Sequence, residues 1–150
     1  MRKLYKHTQI GYLLLSIFGV VIVFLSYSAI VNDFNPTVVA VLVIMLITLV
    51  LFPTLTVTVD SKMIKLHYGL GIIHKRFLLK DIATYQITEN PWYYGWGIHY
   101  TPRGWLFNIS GFAAIELHLR SGKRYRIGTD DPTGLARAVD EALTGANYNS

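Results

Sequence analysis

The chain has 150 residues, 52% of them apolar and only 15% charged, against roughly a quarter charged in ordinary soluble domains. It contains no cysteine, which excludes disulfides, thiolate metal sites and cysteine nucleophiles. The net charge is +5, but the basic residues form no dense stripe, so nucleic acid is not expected as a partner.

The apolar excess sits in the first third, where Asp33 is the only formal charge between Lys6 and Asp60. Residues 1–9 read as a basic cytoplasmic tail carrying Arg2, Lys3 and Lys6. Ile10 to Val31 then runs without a charge, long enough for a bilayer core, which takes about 20 residues. "NDFNP", Asn32 to Pro36, interrupts it with a proline placed to start a new helix. A second uncharged run follows to Phe52. Residues 10–53 therefore read as a transmembrane hairpin, with spans over 10–31 and 36–53. A cleaved signal peptide is the alternative for the first run. Against it stand an apolar core longer than the usual ~15 residues, no clear small-residue cleavage site, and the second run. Gly11, Gly19 and Ser26 recur at helical spacing, as a close-packed face between the helices would require. Basic residues flank both outer ends, Arg2, Lys3 and Lys6 before and Lys62 and Lys65 after. The positive-inside tendency then places both termini in the cytoplasm and the Asp33 turn outside.

From Thr54 the pattern changes period. Leu55, Val57 and Val59 alternate with threonines, and Ile64, Leu66 and Tyr68 alternate with Lys65 and His67. These are half-buried strands joined by an even-numbered turn around Asp60 and Ser61. Further strands are expected near 72–79 and 82–88, the latter with Tyr85 and Ile87 on one face.

The stretch from Asn90 to Gly111 holds all three tryptophans. Trp92, Tyr93 and Tyr94 follow Asn90-Pro91 in an expected loop, the best placed residues for touching lipid or a partner. An even-numbered turn at "TPRG" puts Trp96, Ile98, Tyr100, Trp105, Phe107 and Ile109 on one face, expected to be core. Arg103 then tips the hairpin, with His99 and Asn108 on the polar face.

In the next hairpin, Ile115, Leu117 and Leu119 share a face with Tyr125 and Ile127 only if the loop has three residues, Arg120-Ser121-Gly122. That register pairs Glu116 with Arg126 and His118 with Arg124 on what reads as the wet face. Asp130 or Asp131 then caps a helix with Pro132 in its first turn and an apolar stripe of Leu135, Val139 and Leu143. Residues 145–150 read as a flexible tail.

Short strands closed by one amphipathic helix are the plan of pleckstrin-homology (PH) domains. "GWGIHYTPRGWLFNISGFAAIELHLRSGKRYRIGTDDPTGLARAV" resembles the C-terminal half of a bacterial PH-like family, and "KDIATYQI" resembles a strand of the same family. Members of that family often carry one or two transmembrane helices before the domain. The resemblance covers residues 54 to 144 and is most specific after Gly95. It implies an α+β membrane protein: a two-helix hairpin, then a partly open PH-like β-barrel of about seven strands with a C-terminal capping helix. It also implies the inner membrane of a bacterium, and no shared catalytic motif.

Nothing in the sequence builds an enzyme. The five histidines are scattered without ligand spacing, and no serine sits in a nucleophile elbow. No catalytic residue, metal site or cofactor is expected. The expected partners are membrane lipid and a further protein, with a second copy of the chain admissible. Trp92, Tyr93, Tyr94, Lys62, Lys65, Arg103, Arg124 and Arg126 are the candidate contacts. An adaptor or assembly subunit at the cytoplasmic face is the leading expectation, and a reader of anionic headgroups through the basic residues is the alternative.

Overall fold

A computed structural model describes residues 2–148. It is an α+β protein of two sheets, a pair of apolar helices and a C-terminal helix. Its elements are β1 (Lys3–Ile10), α1 (Tyr12–Val31), α2 (Pro36–Leu51), β2 (Thr54–Asp60), β3 (Met63–Tyr68), β4 (Ile73–Leu78) and β5 (Ile82–Glu89). β6 (Gly97–Thr101), β7 (Gly104–Asn108), β8 (Ala113–Leu119), β9 (Arg124–Gly128) and α3 (Pro132–Tyr148) complete the chain. Nine strands thus stand among the described residues where about seven were expected, and the two sheets do not close into a barrel.

The main departure is at the N-terminus. Lys3–Ile10, expected to be a tail, is strand β1, antiparallel to β2 with Ile10 opposite Thr54 and Lys3 opposite Asp60. The helices are therefore an insertion between two paired strands, and the β-domain begins before them. β1 escapes pattern reading because its inward side chains are polar. Tyr5 donates to Asp131 Oδ2 at 3.1 Å, His7 Nε2 lies 2.6 Å from Asp130 Oδ1, and Gln9 donates to the Gly128 carbonyl at 2.7 Å. The strand is fastened to the start of α3 by hydrogen bonds more than by apolar burial.

α1 has 20 residues and is long and apolar enough to cross a membrane; α2, with 16, is a shorter apolar helix. At about 1.5 Å per residue they measure about 30 and 24 Å. More than half of their residues are exposed and the rest half-buried, with only Ala29 buried. Pro36 is the first residue of α2, as expected, and the Asn35 carboxamide accepts from the Thr37 amide at 3.0 Å. The small-residue face does not form. A Cβ added to Gly19 would touch nothing within 4 Å, Gly11 packs on Ile109, and Ser26 bonds back to the Ile22 carbonyl.

One sheet runs β1-β2-β3-β4 and the other β5-β8-β9-β7-β6. The β2–β3 register places Leu55, Val57, Val59, Ile64, Leu66 and Tyr68 in the core together, as the alternation requires. The β8–β9 hairpin also has its expected register, Glu116 opposite Arg126 and His118 opposite Arg124. Its three-residue loop closes on Gly122 at φ +86°, a left-handed position that favours glycine. β7 and β9 are parallel neighbours, so the β6–β7 and β8–β9 hairpin tips lie side by side.

α3 buries Leu135, Ala138, Val139 and Ala142 and packs on β1, β2, β5 and β8. It closes one side of the sandwich. On the opposite side, where β4 and β6 are edge strands, nothing comparable covers the core among the described residues. The Asp131 carboxylate accepts from the Gly134 amide at 3.0 Å and caps the helix. The helix runs on to Tyr148, so the tail expected from 145 is helical that far; 149–150 lie outside the described residues.

Candidate functional site

Strand register sorts every loop to one of two ends. Ile10, Thr54 and Tyr68 mark the end from which the helices leave, since the Gly69 amide donates to the Thr54 carbonyl and Gly69 lies against the Val50 and Leu51 carbonyls. In the other sheet, Trp96, Ile98, Asn108 and Ile109 line a cleft with Leu14, Phe18, Thr48 and Phe52 at the base of the helices. The loops 69–72, 90–96 and 109–112 therefore share the helix-bearing end.

That end is apolar. Trp92 is 79% exposed and Leu70 75%, and Ile72, Tyr93 and Phe112 are exposed beside them. Trp92–Tyr94 form a single 3-10 turn after Pro91, ended by Gly95 at φ +65°. Trp92 meets Tyr93 edge-on at 5.9 Å and Tyr93 meets Tyr94 at 5.2 Å, so the rings form one ladder. Trp92, Tyr93 and Tyr94 were read from the sequence as a contact loop. Leu70, Ile72 and Phe112 are not legible in this way, because each is a lone apolar residue in a turn and only the tertiary fold puts their loops at one end.

The aromatic loop starts from a buried ion pair. Arg126 Nε donates to Glu116 Oε2 at 2.6 Å, and its Nη1 donates to the Asn90 carboxamide oxygen at 3.0 Å. Glu116 and Arg126 are each 1% exposed. The expectation of a solvated cross-strand pair is thus corrected: the register is as read, but Asn90, Gln86 and the neighbouring strands exclude water from that face. Gln86 and His118 both reach Glu116 Oε1, at 3.2 and 2.6 Å. Burial opposes ionisation of Glu116, but Arg126, then His118, outweigh it and hold the carboxyl below its ordinary range. Arg126 is therefore a structural cation that anchors the loop's first residue, not a surface contact.

The other basic candidates do not gather at the helix-bearing end. Lys65 is spent on Asp60, 3.0 Å away. The Lys62 amide bonds to Asp60 Oδ1 in the β2–β3 turn, at the end opposite the helices. Arg103 and Arg124 lie at the adjacent hairpin tips, also at that far end, and line one cleft with Lys123, Tyr100, Trp105 and Tyr125.

Trp96 and Trp105 depart from the core expectation. The two-residue loop Pro102-Arg103 and the face assignment hold, with Tyr100 opposite Trp105 and Ile98 opposite Phe107. Yet Trp105 is 43% and Tyr100 74% exposed, and Trp96 is half-buried. Their face is covered near the helices, where Phe107 and Ile109 are buried, and left open toward the tip. His99 and Asn108, expected on a polar outer face, are half-buried and buried respectively. Among the described residues no three of His, Asp and Glu group as a metal site would require. Compared with known proteins, the chain matches no protein-family model, no curated sequence and no solved structure.

Proposed function

We propose that this protein is a non-enzymatic, membrane-anchored interaction module with a β-domain of PH-like plan, acting as an adaptor or assembly subunit at the cytoplasmic face of a bacterial inner membrane. The α1–α2 hairpin sits in the bilayer and the Asp33 turn faces outside. The observation that carries this reading is that exposed Leu70, Ile72, Trp92, Tyr93 and Phe112 all lie in loops at the end from which both helices leave the sheets. Trp and Tyr favour the headgroup level of a bilayer. An apolar end of this kind, continuous with two exposed apolar helices, suits a domain seated directly on the leaflet that its anchor enters.

The headgroup-reading alternative keeps only Lys75 and Arg76, which line a cleft with His67, His74, Leu70 and Gly71 beside the helix-bearing end. Arg103, Arg124 and Lys62 lie a strand length from the helix-bearing end, about 20 Å at ~3.3 Å per residue. That exceeds the ~8 Å over which charges act through physiological salt. A protein or soluble partner is the better fit for that surface.

The chain has no cysteine, so single-cysteine variants report topology directly. With a membrane-impermeant maleimide on intact cells, Asp33→Cys is expected to label at once and Lys123→Cys only after permeabilisation. Labelling in the reverse order, or of both sites alike, sinks the proposed placement. Crosslinking of the full-length protein in its membrane is expected to capture a partner protein, and recovery as a lone monomer sinks the adaptor reading.

A further inference from the structure

Two features left unused above meet at the far end of the domain: the uncovered face carrying Tyr100 and Trp105, and the cations of the two neighbouring tips. Between the tips lies an open cleft of about 540 Å³, lined by Tyr100, Arg103, Trp105, Lys123, Arg124 and Tyr125. This is within the range of roughly 300–1,000 Å³ common for small-molecule sites. No carboxylate lines it, and among the described residues Arg103, Lys123 and Arg124 make no ion pair. Outside the lining, the Lys75 ammonium lies 5.4 Å from the Tyr125 ring centre.

The arrangement is held by backbone rather than by long side chains. Trp105 pairs with Tyr100 on one side and Tyr125 on the other, so three aromatic residues form a continuous row across β6, β7 and β9. Tyr100 and Trp105 meet edge-on at 5.5 Å. Gly104, at φ +102°, packs directly on the Arg124 carbonyl and fixes one tip against the other. The cleft thus offers two kinds of recognition next to each other. Exposed aromatic surface can stack a planar ring, and clustered Arg and Lys can take phosphate oxygens, Arg in bidentate fashion.

We propose that this cleft binds a soluble phosphorylated ligand bearing a planar ring, of the nucleoside polyphosphate class. The planar ring lies against Tyr100 and Trp105, and the phosphates lie among Arg103, Lys123 and Arg124. This names a ligand for the interaction module proposed above, and rests on that reading only for the direction the cleft faces. A polyanionic membrane lipid is the other source of the same phosphate chemistry, and the distance of the cleft from the helix-bearing end argues for the soluble one.

The test is calorimetric titration of the full-length protein in phosphatidylcholine nanodiscs with adenosine triphosphate, inorganic tripolyphosphate and adenosine in turn. Vesicles containing anionic phospholipid form a fourth arm. Saturable one-site binding of the nucleotide is expected, at least tenfold tighter than either tripolyphosphate or adenosine. Lys123→Gln with Arg124→Gln, and separately Trp105→Leu, are each expected to weaken it at least tenfold, with Lys62→Gln unchanged and the melting temperature of every variant within a few degrees. Absence of nucleotide binding, tripolyphosphate binding as tight as nucleotide, an equal loss in Lys62→Gln, or binding to anionic vesicles alone overturns the proposal. Nucleotide binding by a protein whose Lys123→Cys variant labels from outside supports the site and overturns only the cytoplasmic placement.

Discussion

The Gly11 amide donates to the Pro53 carbonyl over 3.1 Å, joining the chain just before α1 to the chain just after α2. Together with the Ile10–Thr54 pairing it makes the helical hairpin a long insertion in an otherwise ordinary β-hairpin. Replacing residues 12–52 by a short Asn-Gly turn is therefore expected to give a soluble, folded β-domain, because the ends already stand at hairpin distance. The fragment from Thr54 onward lacks β1 and is expected to aggregate, since β2 becomes a free edge and Tyr5, His7 and Gln9 no longer hold the start of α3. Circular dichroism and size-exclusion chromatography of the two shortened chains check this; a well-folded 54–150 fragment would count against an integral β1.

Glu116→Gln leaves Arg126 buried beside a neutral partner. Breaking a buried pair from one side costs about 3–5 kcal/mol, whereas replacing both members by apolar residues is often neutral or stabilising. Chemical denaturation of the hairpin-excised domain should place Glu116→Gln far below wild type. Glu116→Leu with Arg126→Met should lie near it, with Asn90 and the aromatic loop losing their tether.

Acid should unfold the domain through the same carboxylates. Glu116 and Asp60 both titrate below their ordinary values: burial raises each, but Arg126 with His118 for Glu116, and the Lys62 amide, Lys65 and the Met63 amide for Asp60, outweigh it. A depressed folded pKa contributes stability that is complete above the unfolded value of about 4 and lost as pH falls through the folded one. The melting temperature is expected to fall steeply only below about pH 4, and Asp60→Asn with Glu116→Gln should flatten that fall. An unchanged profile in the double variant would refute the assignment.

Gly104→Ala should destabilise the two-tip arrangement without touching the core. The added methyl group meets the Arg124 carbonyl at a residue already in the left-handed region, and a clash plus backbone strain of this kind costs about 1–3 kcal/mol each. A drop in melting temperature larger than that of Gly122→Ala, whose Cβ meets nothing, is the expected result.

Trp92 offers the most direct probe of the helix-bearing end. With Trp96 and Trp105 replaced by Phe, its emission is expected to be quenched by lipids brominated near the headgroup. Indifference to bromine would remove the aromatic loop from the bilayer surface.

What was readable in the sequence follows from how local each cause is. The Glu116–Arg126 register was legible because Gly122 and the alternation around it are adjacent in the chain. Its burial was not, because Asn90 arrives from another strand. β1 was hidden because its partner lies beyond two helices and its inward residues are polar. Trp105 was assigned to a core because alternation reports which face a residue takes, while coverage of that face depends on the other sheet. β4 and β6 leave it open at the tip.

The order of β1, hairpin and β2 along the chain also bears on biogenesis. During synthesis β1 emerges first, but its pairing strand is made only after both apolar helices have left the ribosome. β1 and β2 can pair only when the helices have folded back on themselves, so the helical hairpin must form before the first sheet closes. A chain whose hairpin fails to form presents an unpaired β1 and two bare apolar helices together, a state that proteolytic quality control can distinguish from the folded one.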